Sequence, residues 1–268
     1  MAHAKTQNIT IEPYNPDWPQ AFNHEKMLLK RALKNNCLEI IHIGSTAVPN
    51  LPAKPIIDII AVVEDPTKIE NKLKKIGYYF KGEYNIPFRY LYGKKDPCKV
   101  NLHVFQPGNP EIELNTLFRD YLRSNPISVK EYAELKMKLI QQKDFNKKDI
   151  SGFTNYNLGK NEFISKIIEA SGFKGLCPRL CFHDLEWQAV RSITGEKETI
   201  KNKDSEYFVL YEGAKIVAAA CVKIQNKQNA LLTSAGFDPS SGTEYHLAIL
   251  LNFIEKWANA HSLAFAQK

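Results

Sequence analysis

The chain has 268 residues, enough for one large domain or two of ordinary size, and its 44% hydrophobic and 11% aromatic content is enough for real cores. No apolar run reaches the roughly 18 residues that span a bilayer, and the opening MAHAKTQNIT lacks the apolar centre of a secretory signal, so no membrane span and a cytoplasmic location are expected. The net charge of +7 suits phosphates, but the lysines are spread along helix-like segments, and no aromatic-rich basic motif supports nucleic-acid readout.

Residues 11–19 read IEPYNPDWP, and three prolines in that stretch enforce an extended path. A helix follows over 20–33, with apolar residues recurring at helical spacing. Residues 38–43 and 55–63 are strands, joined by the Pro-punctuated loop that opens with Gly44-Ser45-Thr46. Asp58 stands alone among isoleucines in the second strand, which reads as buried on both faces. An ionised carboxylate there needs a partner. Two readings stay open. Gly44 makes a turn, Ser45 caps it and Asp58 bonds to backbone; or the Gly-Ser turn and the acid on the next strand together hold a phosphate and a divalent cation.

Asp65-Pro66 starts a helix that runs to about residue 76, where Gly77 ends it. Residues 78–81, 88–92 and 99–105 are strands, with a turn at 93–97 before the last. On that last strand Asn101, His103 and Phe105 share a face. Helices are expected at 111–123, 128–142 and 156–171, the first carrying Arg119. The character changes at 172–178. Beyond it come a helix over 183–194, a hairpin of 207–211 with 215–224, a strand at 231–237, a helix over 244–260, and the start of another strand. Five scattered cysteines fit reduced thiols, and the Cys177–Cys181 pair in CPRLC has no second pair to complete a zinc site.

The stretches IEPYNPDWP, HIGSTAVPNLPAKPIIDI, LHVF, LFRDYLRSNP, EYAELK and GKNEFI resemble the GrpB family, also met fused to dephospho-CoA kinases, in the family's order over about residues 9–170. The resemblance implies a nucleotidyltransferase-like α/β (α+β) fold with a mixed sheet. In active nucleotidyltransferases a Gly-Ser turn precedes a strand with two acids one residue apart, and a third acid on a later strand completes a two-metal site. Gly44-Ser45 and Asp58 match that pattern, but Ile60 stands where the second acid belongs and His103 is the polar residue on the later strand. Asn50 and Asn101 depart from the family's usual Gly and His. The implied site has Asp58 and His103 as catalytic residues and metal ligands. Gly44, Ser45, Thr46, Lys54, Arg119 and Lys160 bind the phosphate. The implied ligand is a nucleotide or another phosphate ester, with Mg²⁺ or Mn²⁺ as its cofactor, although one Asp and one His make a poor Mg²⁺ pair.

Residues 207–224, 231–239 and 244–260 resemble part of a GNAT acetyltransferase, with Gly242 and Thr243 in the acetyl-CoA loop. Pro239 and Glu244 break that loop's motif, and Glu244 sets negative charge against a pyrophosphate, so acetyl-CoA is not expected. The chain stops as the family's fifth strand begins, leaving a sheet edge that suits dimerisation. The expected organisation is a GrpB-like domain over 1–172 and an incomplete GNAT-like domain over 173–268. Three functions follow: phosphate-ester binding with residual nucleotidyl or phosphoryl transfer, N-acetyl transfer, and a non-catalytic interaction protein.

Overall fold

The computed structural model describes residues 10–148, 153–198 and 201–267. Their contacts form two units. The first runs to Glu83 and resumes over Arg89–Phe173; the second comprises Tyr84–Phe88 with Lys174–Lys268. The segment Tyr84–Phe88, counted with the first domain in the linear reading, therefore belongs with the second unit.

In the first unit the extended Pro-rich stretch leads into α1 (Trp18–Leu33), which has proline in its first turn. Backbone bonds between Glu12 and Ala53, 2.9 Å in both directions, tie that stretch to the loop after the Gly-Ser turn. The sheet is built from β1 (Cys37–Ile43), β2 (Ile56–Val63), β3 (Tyr79–Gly82), β4 (Tyr90–Lys94) and β5 (Lys99–Phe105), in the order β1-β2-β5-β4-β3. Only β2 and β5 run parallel; the other neighbours are antiparallel. The crossover that parallel pairing requires is made by α2 (Glu70–Lys75) with the β3–β4 hairpin.

Alternation along β2 sorts its two faces. Ile57, Ile59, Ala61 and Val63 pack with Leu29 and Leu33 of α1, Leu73 of α2, and Leu102 and Val104 of β5. Asp58 is thereby turned to the opposite face, opposite Asn101 of β5 in the ladder. A second core is formed by the loop residues Val48 and Leu51 with Leu122 of α3 (Pro110–Ser124), Tyr132 of α4 (Pro126–Ile140) and Ile167 of α6 (Asn161–Ala170).

Three expected elements change. The helix expected over 65–76 is a tight 3₁₀ turn, Pro66–Lys68, capped by the Asp65 side chain and followed by the short α2. The turn expected at 93–97 begins only after Lys94, because Gly93 and Lys94 continue β4. The helix expected over 156–171 splits into α5 (Asn155–Leu158) and α6. At the break, Gly159 lies so close to the Leu139 side chain that a Cβ would collide with it.

The second unit holds the sheet β10-β9-β8-β7-β6, from β6 (Leu176–Leu180), β7 (Ser205–Glu212), β8 (Lys215–Gln225), β9 (Asn229–Phe237) and β10 (Ala264–Gln267). Strand β6 was not expected from sequence; it carries Pro178 at the sheet edge, where a missing N–H is tolerated. Alternation again assigns the faces. Phe208, Leu210, Ala218 and Ala220 meet Leu250, Ile254 and Trp257 of α8 (Glu244–Ala260). Tyr207, Val209, Ala219 and Cys221 meet Trp187 and Val190 of α7 (Asp184–Thr194). The last strand, β10, follows α8 and pairs parallel with β9 at the other edge. No described helix is long and apolar enough to cross a membrane.

One buried ion pair sits in the first core. Glu25 is 0% exposed, and it accepts from Lys94 Nζ at 2.8 and 3.0 Å and from the Tyr78 hydroxyl at 2.8 Å. Removing one partner strands the other charge. We expect Lys94→Met to lower unfolding free energy by about 3–5 kcal/mol, and the double variant with Glu25→Leu to recover much of that loss, both read from urea unfolding. Equal losses in the single and double variants would show that the pair is not what Lys94 contributes.

Candidate functional site

The turn after β1 can only be made by glycine. Gly44 has φ +71°, and a Cβ there would stand 2.6 Å from Asp58 Oδ2. Antiparallel pairing of Ile43 with Asp58 brings the turn against the acid, and Ser45–Ala47 then winds one 3₁₀ turn over it. Asp58 Oδ1 accepts from Asn101 Nδ2 at 2.9 Å, and Asn101 Oδ1 accepts from Lys81 Nζ at 3.2 Å. Burial raises the Asp58 pKa, while the Asn101 hydrogen bond and the charges of Lys160, Lys54 and Lys81 pull it down.

This corner opens into a cleft of about 330 Å³ whose lining includes Ser45, Thr46, Lys54, Asp58, Asn101, Lys136, Tyr156 and Lys160. Three amines thus share one cleft with one carboxylate. Lys54 and Lys160 both lie on the Tyr156 ring, 4.5 and 4.7 Å from its centroid, and Lys136 lies 4.3 Å from that of Tyr132. Lys136 Nζ is also 2.7 Å from Ser45 Oγ and donates to the Pro52 carbonyl at 2.9 Å. Burial pushes all three amines toward neutrality, and repulsion adds to it at Lys136 and Lys160. Burial first, then Lys54, brings the Lys160 pKa down to about 8, with Asp58 opposing. Burial and Lys160 take Lys136 well below its ordinary value. Thr46 turns its hydroxyl to the Ile56 carbonyl at 3.3 Å and to His42 Nε2 at 3.1 Å.

The site expected from sequence is only partly assembled here. Gly44, Ser45, Thr46, Lys54, Asp58 and Lys160 come together as expected. Arg119 does not join them. It donates to the His42 carbonyl at 2.8 Å and grips the adjacent Asp120 with two bonds, lining a separate cavity of about 760 Å³ with Phe22, His42 and Arg123. His103 is absent from the cleft's lining. It lies two residues along β5, and burial with the charges of Arg89 and Lys81 lowers its pKa to about 3, which leaves it neutral at ordinary pH. Asn101 takes its place beside Asp58. Lys136, Asn101, Tyr156 and Lys81 are the contributors that sequence reading passed over. The signals for Lys136 are its place in the stretch EYAELK and Tyr132 four residues before it, on the same face of a helix.

A divalent cation does not suit this donor set. Among the described residues, Asp58 is the only carboxylate lining the cleft, its Oδ1 accepts from an amide N–H, and the remaining charges there are amines that repel a cation. Among the described residues, no three His, Cys, Asp or Glu side chains converge on a metal position.

In the second unit, the Gly242 N–H donates to the Asp238 carbonyl at 2.7 Å, and the Thr243 N–H donates to His246 Nδ1 at 3.1 Å. Both backbone donors of that loop are turned inward at the start of α8. Cys177 lies on β6, and Cys181 joins the apolar cluster beneath α7.

The family model described as GrpB protein matches residues 8–170. The Bacillus subtilis UPF0157 protein YqkA is 38% identical over 162 residues, 59% of this chain and 46% of that protein. The Halalkalibacterium halodurans UPF0157 protein BH1888 is 40% identical over 137 residues, 50% of this chain and 70% of the other. The crystal structure of the conserved protein GrpB from Enterococcus faecalis superposes with a TM-score of 0.53 and 35% identity, over 60% of this chain and 96% of that one. The chain thus spans less than half the length of YqkA.

Gly44→Ala tests the contact on which the cleft is built. A Cβ at Gly44 meets Asp58 Oδ2 in a backbone conformation that alanine disfavours, so we expect a loss of about 1–3 kcal/mol in denaturant unfolding. Part of that loss should be absent when Asp58→Ala is already present, a coupling of about 0.5–3 kcal/mol. Additive losses would place the strain elsewhere.

Proposed function

We propose, for a chain that belongs to the GrpB family, that the cleft of the first unit binds a nucleotide or another small phosphate ester through Lys54 and Lys160, with Lys136 enclosed behind them. The observation that carries this reading is the charge balance: three amines line the cleft with one carboxylate. Amines held in a poorly solvated site are costly until an anion enters, and phosphate oxygens satisfy several at once. Ser45 adds a hydroxyl at the same wall. Asp58 serves as acceptor for a hydroxyl of the ligand and as the counter-charge for the amines. The Gly-Ser turn beside an acid on the next strand also supports a nucleotidyltransferase-like ancestry of the site. On this reading transfer chemistry is metal-dependent elsewhere in the fold class but not at this donor set.

Calorimetry with pyrophosphate, ATP, GTP and CoA tests the reading. We expect binding by at least one of them at pH 7, weakened about tenfold or more in Lys160→Ala; silence from all four at millimolar concentration would sink it. The pH dependence has a definite sign. The Lys160 amine, with its pKa down at about 8, is charged below that pH and neutral above it. Affinity should therefore fall as pH rises through about 8. Binding near that pH should take up a proton, because the anion favours the ammonium form, and this is visible as an enthalpy that varies with the ionisation heat of the buffer. Proton release instead would mean that another group governs the site.

A further inference from the structure

Ser45 faces the cleft, and its Oγ lies 2.7 Å from Lys136 Nζ. Lys136 is only 2% exposed. Its nitrogen is held on its other sides by the Pro52 carbonyl at 2.9 Å and by the Tyr132 ring at 4.3 Å. Binding a phosphate does not require so enclosed a lysine, for Lys54 and Lys160 supply cationic charge from the cleft wall. An amine anchored on a carbonyl and standing 2.7 Å from a serine hydroxyl is within reach to take that hydroxyl's proton once it is itself deprotonated, the spacing a general base needs beside a nucleophile. Burial is the main force drawing the Lys136 amine toward its neutral form, and the groups facing it add to that or oppose it. Lys160, from the junction of α5 and α6, and Lys54, from the loop before β2, repel its charge; Asp58 on β2 favours it; Ser45 and Tyr132 are neutral.

We propose that Ser45 is a nucleophile, with Lys136 as its general base, and that it accepts a phosphoryl or nucleotidyl group from a phosphoanhydride bound in the cleft. The proposal rests on the phosphate-ester reading given above. Ser45 Oγ attacks phosphorus. The Oγ–P bond forms as the bridging P–O bond of the anhydride breaks, and the leaving phosphate carries away the electron pair. The Ser45 proton passes to Lys136 Nζ. Lys54 and Lys160 meet the negative charge that develops on the leaving group. The product is a phosphate ester on Ser45.

The test uses diisopropyl fluorophosphate on the full chain, so that it does not depend on knowing the natural donor. Attack by Ser45 forms the Oγ–P bond, expels fluoride and leaves an adduct that intact mass and peptide mapping locate. We expect labelling on Ser45, lost in Ser45→Ala, slowed by excess pyrophosphate, and about 100-fold slower in Lys136→Met. We also expect the wild-type rate to rise with pH to a plateau as the amine deprotonates. Because Lys136→Met is a core substitution, its melting temperature is read alongside, and the wild-type pH profile stands as a separate measure of the base. An unlabelled Ser45 in a wild-type chain that binds pyrophosphate by calorimetry overturns the nucleophile and leaves the cleft a binding site. Undiminished labelling in a folded Lys136→Met overturns the base. Labelling without any pyrophosphate binding overturns the phosphoanhydride donor together with the phosphate-ester reading.

Discussion

Amines gathered in a poorly solvated cleft repel one another, and the folded chain must hold Lys54, Lys136 and Lys160 against that repulsion. Much of the first unit serves this end. Two tyrosine rings lie under the three nitrogens, the Pro52 carbonyl fixes one of them, and Asp58 offsets part of the charge. The tyrosines come from different helical elements, Tyr132 from α4 and Tyr156 from α5, and Tyr132 itself belongs to the core beneath the loop. The apolar packing that folds the helices is therefore the same packing that confines the charges.

The strand pattern made much of this legible in advance. Isoleucines on alternate positions of β2 go to the core and leave Asp58 on the other face, and antiparallel pairing with β1 returns Gly44 to its side. Lys54 and Lys160 were drawn into the site by family resemblance. Lys136 stood in one of the same matching stretches but reads locally as a solvent-facing helix residue; only the seating of α4 over Pro52 makes it internal. Arg119 misled because its guanidinium finds a nearer carboxylate in Asp120 and a carbonyl in His42. His103 shares a strand face with Asn101, yet a step of two residues carries it out of the cleft. Strand β6 escaped notice because proline normally argues against a strand, an argument that weakens at an edge.

The second unit is closed by packing at both faces of its sheet. Four antiparallel strands are followed by α8 and a parallel β10. Ahead of α8, the Gly242 and Thr243 N–H groups are taken by the Asp238 carbonyl and His246 Nδ1. A Cβ at Gly242 would strike the Val217 carbonyl, so that glycine meets the packing demand of the turn against β8.

The contact between Ser45 and Lys136 joins positions 91 residues apart in the chain. Contacts so distant in sequence form late, because the intervening loop must be closed before they return any free energy. During synthesis the strands β1, β2 and β5 leave the ribosome well before α4, and Lys160 follows later still. Until then the turn, the acid and Lys54 exist without their remaining partners. A ligand held by both Lys54 and Lys160 cannot act as a template for the nascent first unit, and its capture would mark the moment at which that unit is complete.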